Sequence, residues 1–215
     1  MRRKSFGSIL RLWLGALLPA AVLLAAPGGA ARAGVLGDTK TAYSAERMLT
    51  IDGRSYQGML YAEPGRQRHV QNEGGIQEVA IFDLGSGTGI FELPQIKSYL
   101  DFKIGRAVAA LSVPDIAGKP VGREAIEGIS VTKYRVAQKA SDGTRIDGLL
   151  WLTAEGIPMR AQGAVTETSG KRTQFSWILS HLQVGPQDEA LFEPPEGFHQ
   201  LPAMALPSFL NGTVH

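Results

Sequence analysis

Short runs of alternating hydrophobic and polar residues make up most of the chain from Thr41 onward. Phe175, Trp177 and Leu179 alternate with polar residues, which predicts a strand with one buried face. Turn signals such as Asp52-Gly53 separate the runs at the spacing typical of antiparallel β domains. The pattern predicts strands near residues 43–51, 55–62, 67–72, 77–84, 89–93, 129–137, 145–153, 158–166 and 173–182.

A helical period interrupts this pattern in the middle of the chain. The spacing i, i+3, i+4, i+7 is formed by Ile104, Ala107, Val108 and Leu111. Asp101 is a candidate N-cap, and Pro114 follows the predicted end of the helix. Two interpretations stay open: ordinary packing of a crossover helix, and a lid whose apolar stripe covers a hydrophobic cavity. The predicted fold class is α+β, mainly β, with a curved antiparallel sheet forming an incomplete barrel under one or more short covering helices.

The first 33 residues have the pattern of a secretory signal peptide. Basic residues near the start precede an apolar run over residues 12–26, and Ala31-Arg32-Ala33 matches a small-x-small cleavage site. About fifteen apolar residues are fewer than the roughly twenty that span a bilayer. We therefore expect a signal peptide at 1–33, a ligand-binding domain at 34–202 and a flexible tail at 203–215. Arg2-Arg3 leaves the general secretory and twin-arginine routes both open.

Charge and cysteine content narrow the classes of partner. Of 22 Lys and Arg residues, five precede Gly34, which leaves 17 basic against 20 acidic residues in the remainder. No basic run occurs in that remainder, so we expect no concentrated positive surface and no nucleic-acid partner. The chain has no cysteine, so it offers no thiol chemistry and no residue for lipid attachment at the cleavage point.

Residues capable of catalysis or metal binding do not form a recognisable group. The four histidines are too far apart for a local metal-ligand pair, and we interpret them as hydrogen-bonded or exposed. The run Gly85 to Gly89 matches neither a dinucleotide-binding nor a nucleophile-elbow motif, which favours a flexible hairpin. We interpret the carboxylates of Glu78, Asp83 and Glu92 as solvated. The expectation is a protein without enzymatic activity, metal or cofactor.

Four segments, in a fixed order, carry a resemblance to a known family. They are residues 56–64 (YQGMLYAEP) followed by Arg68; residues 81–83 (IFD) followed by 90–94 (IFELP); residues 121–124 (VGRE) with Gly128 and Lys133-Tyr134; and residues 191–198 (LFEPPEGF). Together they resemble the periplasmic lipoprotein-carrier (LolA/LolB-like) superfamily. Glu63 stands where the sorting carrier of that superfamily has arginine, which favours a divergent relative.

The resemblance implies a fold and a function. The fold would be an incomplete antiparallel barrel around short helices, with an apolar cavity for acyl chains. Exposing such a chain to water costs about 0.8 kcal/mol per CH₂ group, so a carrier must enclose it. The implied function is a soluble periplasmic protein that binds a lipid, an acylated molecule or another hydrophobic ligand and carries it through the cell envelope. The alternative is a non-transporting module of the same fold that senses envelope lipids or docks a partner protein. Either one implies transient contact with a membrane or with envelope proteins.

The candidate cavity residues are those on apolar faces of the predicted strands and helix. For each of them, packing in an ordinary core is the alternative. They are Phe91, Ile104, Val108, Leu111, Trp151, Met159, Phe175 and Trp177.

Overall fold

A computed structural model describes residues 40–73, 76–103, 120–139, 143 and 145–202. These ranges contain one sheet of twelve strands and two short 3-10 turns, at Pro94–Ile96 and Glu189–Phe192. The strands are β1 (Tyr43–Ile51), β2 (Arg54–Glu63), β3 (Arg66–Glu73), β4 (Ile76–Asp83), β5 (Thr88–Leu93), β6 (Ser98–Lys103), β7 (Gly122–Ile126), β8 (Ile129–Lys139), β9 (Arg145–Leu152), β10 (Pro158–Thr166), β11 (Arg172–Val184) and β12 (His199–Gln200).

The strand order is β12-β6-β5-β4-β3-β2-β1-β11-β10-β9-β8-β7. Strands β1 to β6 form one meander and β7 to β11 another, and the pairing of β1 with β11 joins the two. All pairs are antiparallel except the short pair of β12 with β6. The sheet ends at β12 and β7 and is not closed into a barrel. The predicted mainly-β class and the open antiparallel sheet are therefore confirmed.

The alternation of buried and less buried residues along the chain explains most of the strands. In β1 every second residue is buried, from Tyr43 to Ile51, as a half-buried strand requires. The turn between β1 and β2 has positive φ at Asp52 (45°) and Gly53 (80°), which a two-residue type I′ hairpin needs at both positions. All nine predicted strands are present, with ends within two residues of the predicted ones.

The pattern does not predict β6, β7 and β12, and it misplaces Asp101. Asp101 lies inside β6 opposite Ile90, so its assignment as a helix N-cap is wrong. In β7 only Ile126 is buried, so this edge strand has no hydrophobic alternation to detect. The predicted helix with Ile104, Val108 and Leu111, the signal peptide at 1–33 and the tail at 203–215 fall outside the described residues.

Glycines allow the sheet to bend sharply towards one face. A Cβ atom on Gly58 would lie 1.9 Å from the carbonyl oxygen of Val70, and one on Gly163 would lie 2.3 Å from that of Asp147. Neighbouring backbone therefore approaches these glycines from the side where a side chain would project. Gly58 pairs with Arg47 and Gly163 with Phe175, so both bends are towards the face that carries these residues. We call it the inner face, and the opposite one the outer face.

Candidate ligand-binding site

The five described cavity candidates differ in burial. Phe91, Trp151 and Met159 are 4%, 2% and 0% exposed. Trp151 and Met159 belong to the largest described core cluster. Phe175 and Trp177 lie two residues apart on the inner face of β11, where Phe175 is buried and Trp177 half-buried. Trp177 packs against two clusters, the largest one and that of Leu49, Ile51 and Tyr56.

A groove of about 520 Å³ crosses β1, β11, β10, β9 and β8. One row of cross-strand partners on the outer face contributes to its lining: Thr50, Ser176, Gln162, Leu149 and Arg135. This row places hydroxyl, amide and guanidinium groups beside the apolar Leu149, so the groove offers hydrogen-bonding groups and apolar surface together. Of the described cavity candidates, Phe175 contributes to its lining.

A buried polar network interrupts the apolar inner face. Arg47 on β1 donates a short hydrogen bond to Nδ1 of His69 on β3, and Nε2 of the same imidazole donates to Gln67 Oε1 at 2.9 Å. This arrangement requires a neutral ring with its proton on Nε2. Burial lowers the pKa of His69 well below its usual value, and the positive charge of Arg47 lowers it further. Burial also lowers the pKa of Arg47 to about 10.

The sequence contains only a weak sign of this network. Arg47 occupies an inner-face position in a strand whose neighbouring inner-face residues, Ala45 and Leu49, are apolar. Such a position indicates a buried arginine, but its partner His69 lies 22 residues away and is brought close only by the pairing of β1, β2 and β3. His69 is hydrogen-bonded and His181 exposed, which confirms the interpretation of these two histidines.

Two of the three candidate carboxylates are buried, so their interpretation as solvated side chains is wrong. Glu78 is 4% exposed and Glu92 is 1% exposed. Glu78 lies on the inner face opposite Gln71, whereas Glu92 lies on the outer face opposite Val79. Carboxylates on opposite faces of a sheet do not form an acid-base pair. Asp83 accepts a hydrogen bond from the Ser86 backbone, which lowers its pKa.

Three of the four segments that carry the family resemblance meet on the outer face. Leu191 and Phe192, from the closing segment, pack against β2, β3, β4 and β5. The contacts of Phe192 include Val79 and Ile81, and the Arg66 guanidinium lies 5.1 Å from the centre of its ring. These three segments, which are separated along the sequence, therefore form one packed cluster.

The described ranges contain neither a group of metal ligands nor a membrane-spanning helix. No group of three or more His, Cys, Asp or Glu side chains there is placed to hold a metal ion. No helix in those ranges has the length and apolar character needed to cross a bilayer.

The strand order defines the class of fold as an open, mainly antiparallel sheet, and solved structures of similar fold are known. An uncharacterized conserved protein from Thermus thermophilus is similar, with a TM-score of 0.51, 13% sequence identity, and coverage of 78% of this chain and 93% of that chain. At this identity the likeness concerns the fold alone.

Two further solved structures have lower scores. The complex of MucA and MucB from Pseudomonas aeruginosa matches with a TM-score of 0.48 at 15% identity, over 83% of this chain and 59% of that chain. A LolA superfamily protein from Nitrosomonas europaea matches with a TM-score of 0.36 at 8% identity, over 88% of this chain and 98% of that chain. No protein-family model and no curated protein matches the sequence.

Proposed function

We propose that this protein binds a lipid or another hydrophobic ligand on the inner face of its sheet, at Phe175 and Trp177, and acts by binding rather than by catalysis. The position of Trp177 carries the proposal. Its indole is half-buried between two core clusters on the side towards which the sheet bends. A large aromatic surface that the protein's own packing leaves partly open is suited to contact with a hydrocarbon chain.

The open sheet supports the same function. A sheet that bends but does not close has an inner face that other groups must cover. Apolar side chains on this face from β6 to β9 include the buried Leu100, Phe91, Leu49 and Leu150, and the half-buried Trp177 adds a partly open apolar surface to them. Each CH₂ group of a ligand placed against such a surface contributes about 0.8 kcal/mol. A chain of moderate length is therefore retained without covalent or metal chemistry.

The cellular setting is part of the proposal. The signal-peptide pattern of residues 1–33 supports export to the periplasm. There a lipid moving between membranes must cross water, and a binding protein lowers the cost of that exposure. The resemblance of residues 42–198 to the lipoprotein-carrier superfamily supports the same setting.

Native mass spectrometry of protein purified from the exported fraction without detergent tests the proposal. We expect co-purifying mass in the lipid range, reduced at least tenfold by Trp177→Ala. Phe192→Ala is the matched control, because it removes a comparable aromatic group from the outer face. Equal loss of stability in both variants with loss of ligand only in Trp177→Ala supports the site. A ligand-free wild type, or equal ligand loss in both variants, would refute it.

The alternative is a docking module of the same fold that transports nothing. The outer-face groove supports it, since a depression that combines amide, hydroxyl and guanidinium groups with apolar surface suits a segment of a partner protein. Transfer of a fluorescent lipid between donor and acceptor vesicles separates the two functions. A carrier raises the transfer rate in proportion to its concentration, whereas a docking module leaves the rate unchanged.

A further inference from the structure

Basic residues that are scattered along the sequence meet on the outer face of β8 to β11. Lys139, Arg145, Thr166 and Arg172 are successive cross-strand partners, so three basic side chains project from one row. Lys133 and Arg135 lie on the same face of β8, and Arg160 on the same face of β10. We name these six the basic face: Lys133, Arg135, Lys139, Arg145, Arg160 and Arg172.

The expectation that the chain has no concentrated positive surface is wrong for this region. On the outer face of β7 to β11 the six basic residues stand against two acidic ones, Glu124 and Asp147. Glu124 is engaged in an ion pair with Lys133. Among the described residues, none forms an ion pair with the exposed side chains of Arg135, Lys139, Arg145 or Arg172. These four cations are therefore available to an external anion.

Exposed apolar side chains lie beside the basic face. Met48 and Ile178 are 40% and 38% exposed, and they face each other across β1 and β11. Ile178 is also the cross-strand partner of Arg160, whose guanidinium lies 4.7 Å from the centre of the Trp151 ring. One row of cross-strand partners on the outer face therefore begins with the apolar Met48 and Ile178 and continues with the basic Arg160. Proteins that rest on a membrane surface combine these two features, because apolar side chains enter the headgroup layer while cations contact phosphates.

The area over which the cations are distributed indicates whether the basic face binds a membrane surface or a single small anion. Strands lie about 4.8 Å apart and residues rise about 3.3 Å, so the basic face extends over about 14 Å by 20 Å. A single phosphate is held by two or three donors that converge on one point. Cations distributed over this area instead match the many phosphates of a lipid surface.

We propose that the basic face, with Met48 and Ile178, docks the protein on an anionic phospholipid membrane. The inference rests on the proposed function, since a protein that exchanges a lipid must approach the bilayer that supplies or accepts it. The docking face lies on the opposite side of the sheet from Trp177. Membrane contact and ligand retention are therefore separable by mutation.

Vesicle flotation measures the docking directly. Wild-type protein should float with phosphatidylcholine vesicles that contain phosphatidylglycerol and not with pure phosphatidylcholine vesicles, and its binding should fall as ionic strength rises. The triple variant Lys139→Glu, Arg145→Glu, Arg172→Glu should bind at least about 100-fold more weakly, roughly fivefold for each cation removed. Met48→Thr with Ile178→Thr should weaken binding several-fold at all ionic strengths.

A matched control carries the same change in net charge at exposed positions outside β7 to β11: Lys40→Glu, Arg54→Glu, Lys97→Glu. We expect this control to bind anionic vesicles within about threefold of wild type, because long-range charge is screened beyond about 10 Å. Equal weakening in the control and the triple variant would overturn the proposal. So would binding to duplex DNA as tight as to vesicles at the same ionic strength, since that result marks a general polyanion surface.

Two further measurements are the lipid and salt dependence of wild-type binding and the ligand retention of the triple variant. If the triple variant does not fold, the phosphatidylglycerol and salt dependence of the wild type decide the question, and their absence refutes docking. Ligand retention, measured by native mass spectrometry, should be unchanged in a folded triple variant. Retained ligand without vesicle binding refutes the docking inference alone, and vesicle binding without ligand refutes the proposed function alone.

Discussion

Arg68 and Glu92 form a bidentate ion pair buried between the sheet and the segment that follows β11. The two hydrogen bonds measure 2.8 Å, from Nη1 to Oε1, and 3.2 Å, from Nη2 to Oε2. Nη1 also donates to the carbonyl oxygen of Leu191 at 2.9 Å. The two side chains are 13% and 1% exposed, so the pair fixes β3, β5 and this segment together in a region that water hardly reaches.

Replacing Arg68 alone should destabilise the protein strongly. Arg68→Met leaves the buried Glu92 carboxylate without its cation, and we expect a loss of about 3 to 5 kcal/mol in the free energy of unfolding at neutral pH. The double variant Arg68→Met, Glu92→Leu should recover most of this loss, because it removes the uncompensated charge. Denaturant titration measures both. A single-variant loss below about 1 kcal/mol would contradict the assigned burial.

Phe192 should contribute to stability through packing on the outer face. Phe192→Ala removes a ring that is 4% exposed and contacts Val79 and Ile81, so we expect a loss of about 3 to 5 kcal/mol. Hydrogen exchange should show faster exchange of the Leu191 amide, which bonds to the Asp188 carbonyl in the 3-10 turn. Unchanged exchange at this turn would argue that the segment is held by other contacts.

The bend at Gly58 should not tolerate a side chain. Gly58→Ala would place Cβ 1.9 Å from a backbone oxygen, so β3 must move away, at a cost of about 3 kcal/mol or more. Gly122→Ala is the control, since its Cβ would meet no atom within 4 Å and its φ is not positive. Thermal unfolding should show a large decrease in midpoint for the first variant and almost none for the second. Similar midpoints would disprove the close approach of β2 and β3.

His69 should make stability depend on pH. Its pKa in the folded protein is well below the value near 6.5 expected in the unfolded chain, so only the unfolded chain binds a proton between the two values. The free energy of unfolding is therefore unaffected by this proton above about pH 7. As pH falls below that value, it decreases by at most about 1.4 kcal/mol per pH unit.

Denaturant titrations between about pH 7 and 5.5 test this dependence, a range in which ordinary carboxylates stay ionised. His69→Gln should flatten the profile, because glutamine does not titrate. His181→Asn, at an exposed position with φ of 52° that asparagine tolerates, is the matched histidine control. A slope that persists in His69→Gln would assign the proton to another group.

Local sequence determined most of the secondary structure because a half-buried strand imposes its own alternation. The strand of Phe175, Trp177 and Leu179 is recognisable without any knowledge of its neighbours. Strand β7 is not, because an edge strand exposed on both faces carries no such constraint. The order of the four family-like segments was likewise readable along the chain, whereas the packing of three of them around Phe192 was not.

Tertiary structure alone decided which polar groups are buried and which charges meet. Glu92 resembles a solvated carboxylate in sequence, and it is buried only because pairing of β3, β4 and β5 brings Arg68 beside it. The six residues of the basic face span 40 positions of the chain, and they share one surface because strand register aligns them. Burial and electrostatic potential are sums over spatial neighbours, and a one-dimensional pattern contains only those neighbours that are also close along the chain.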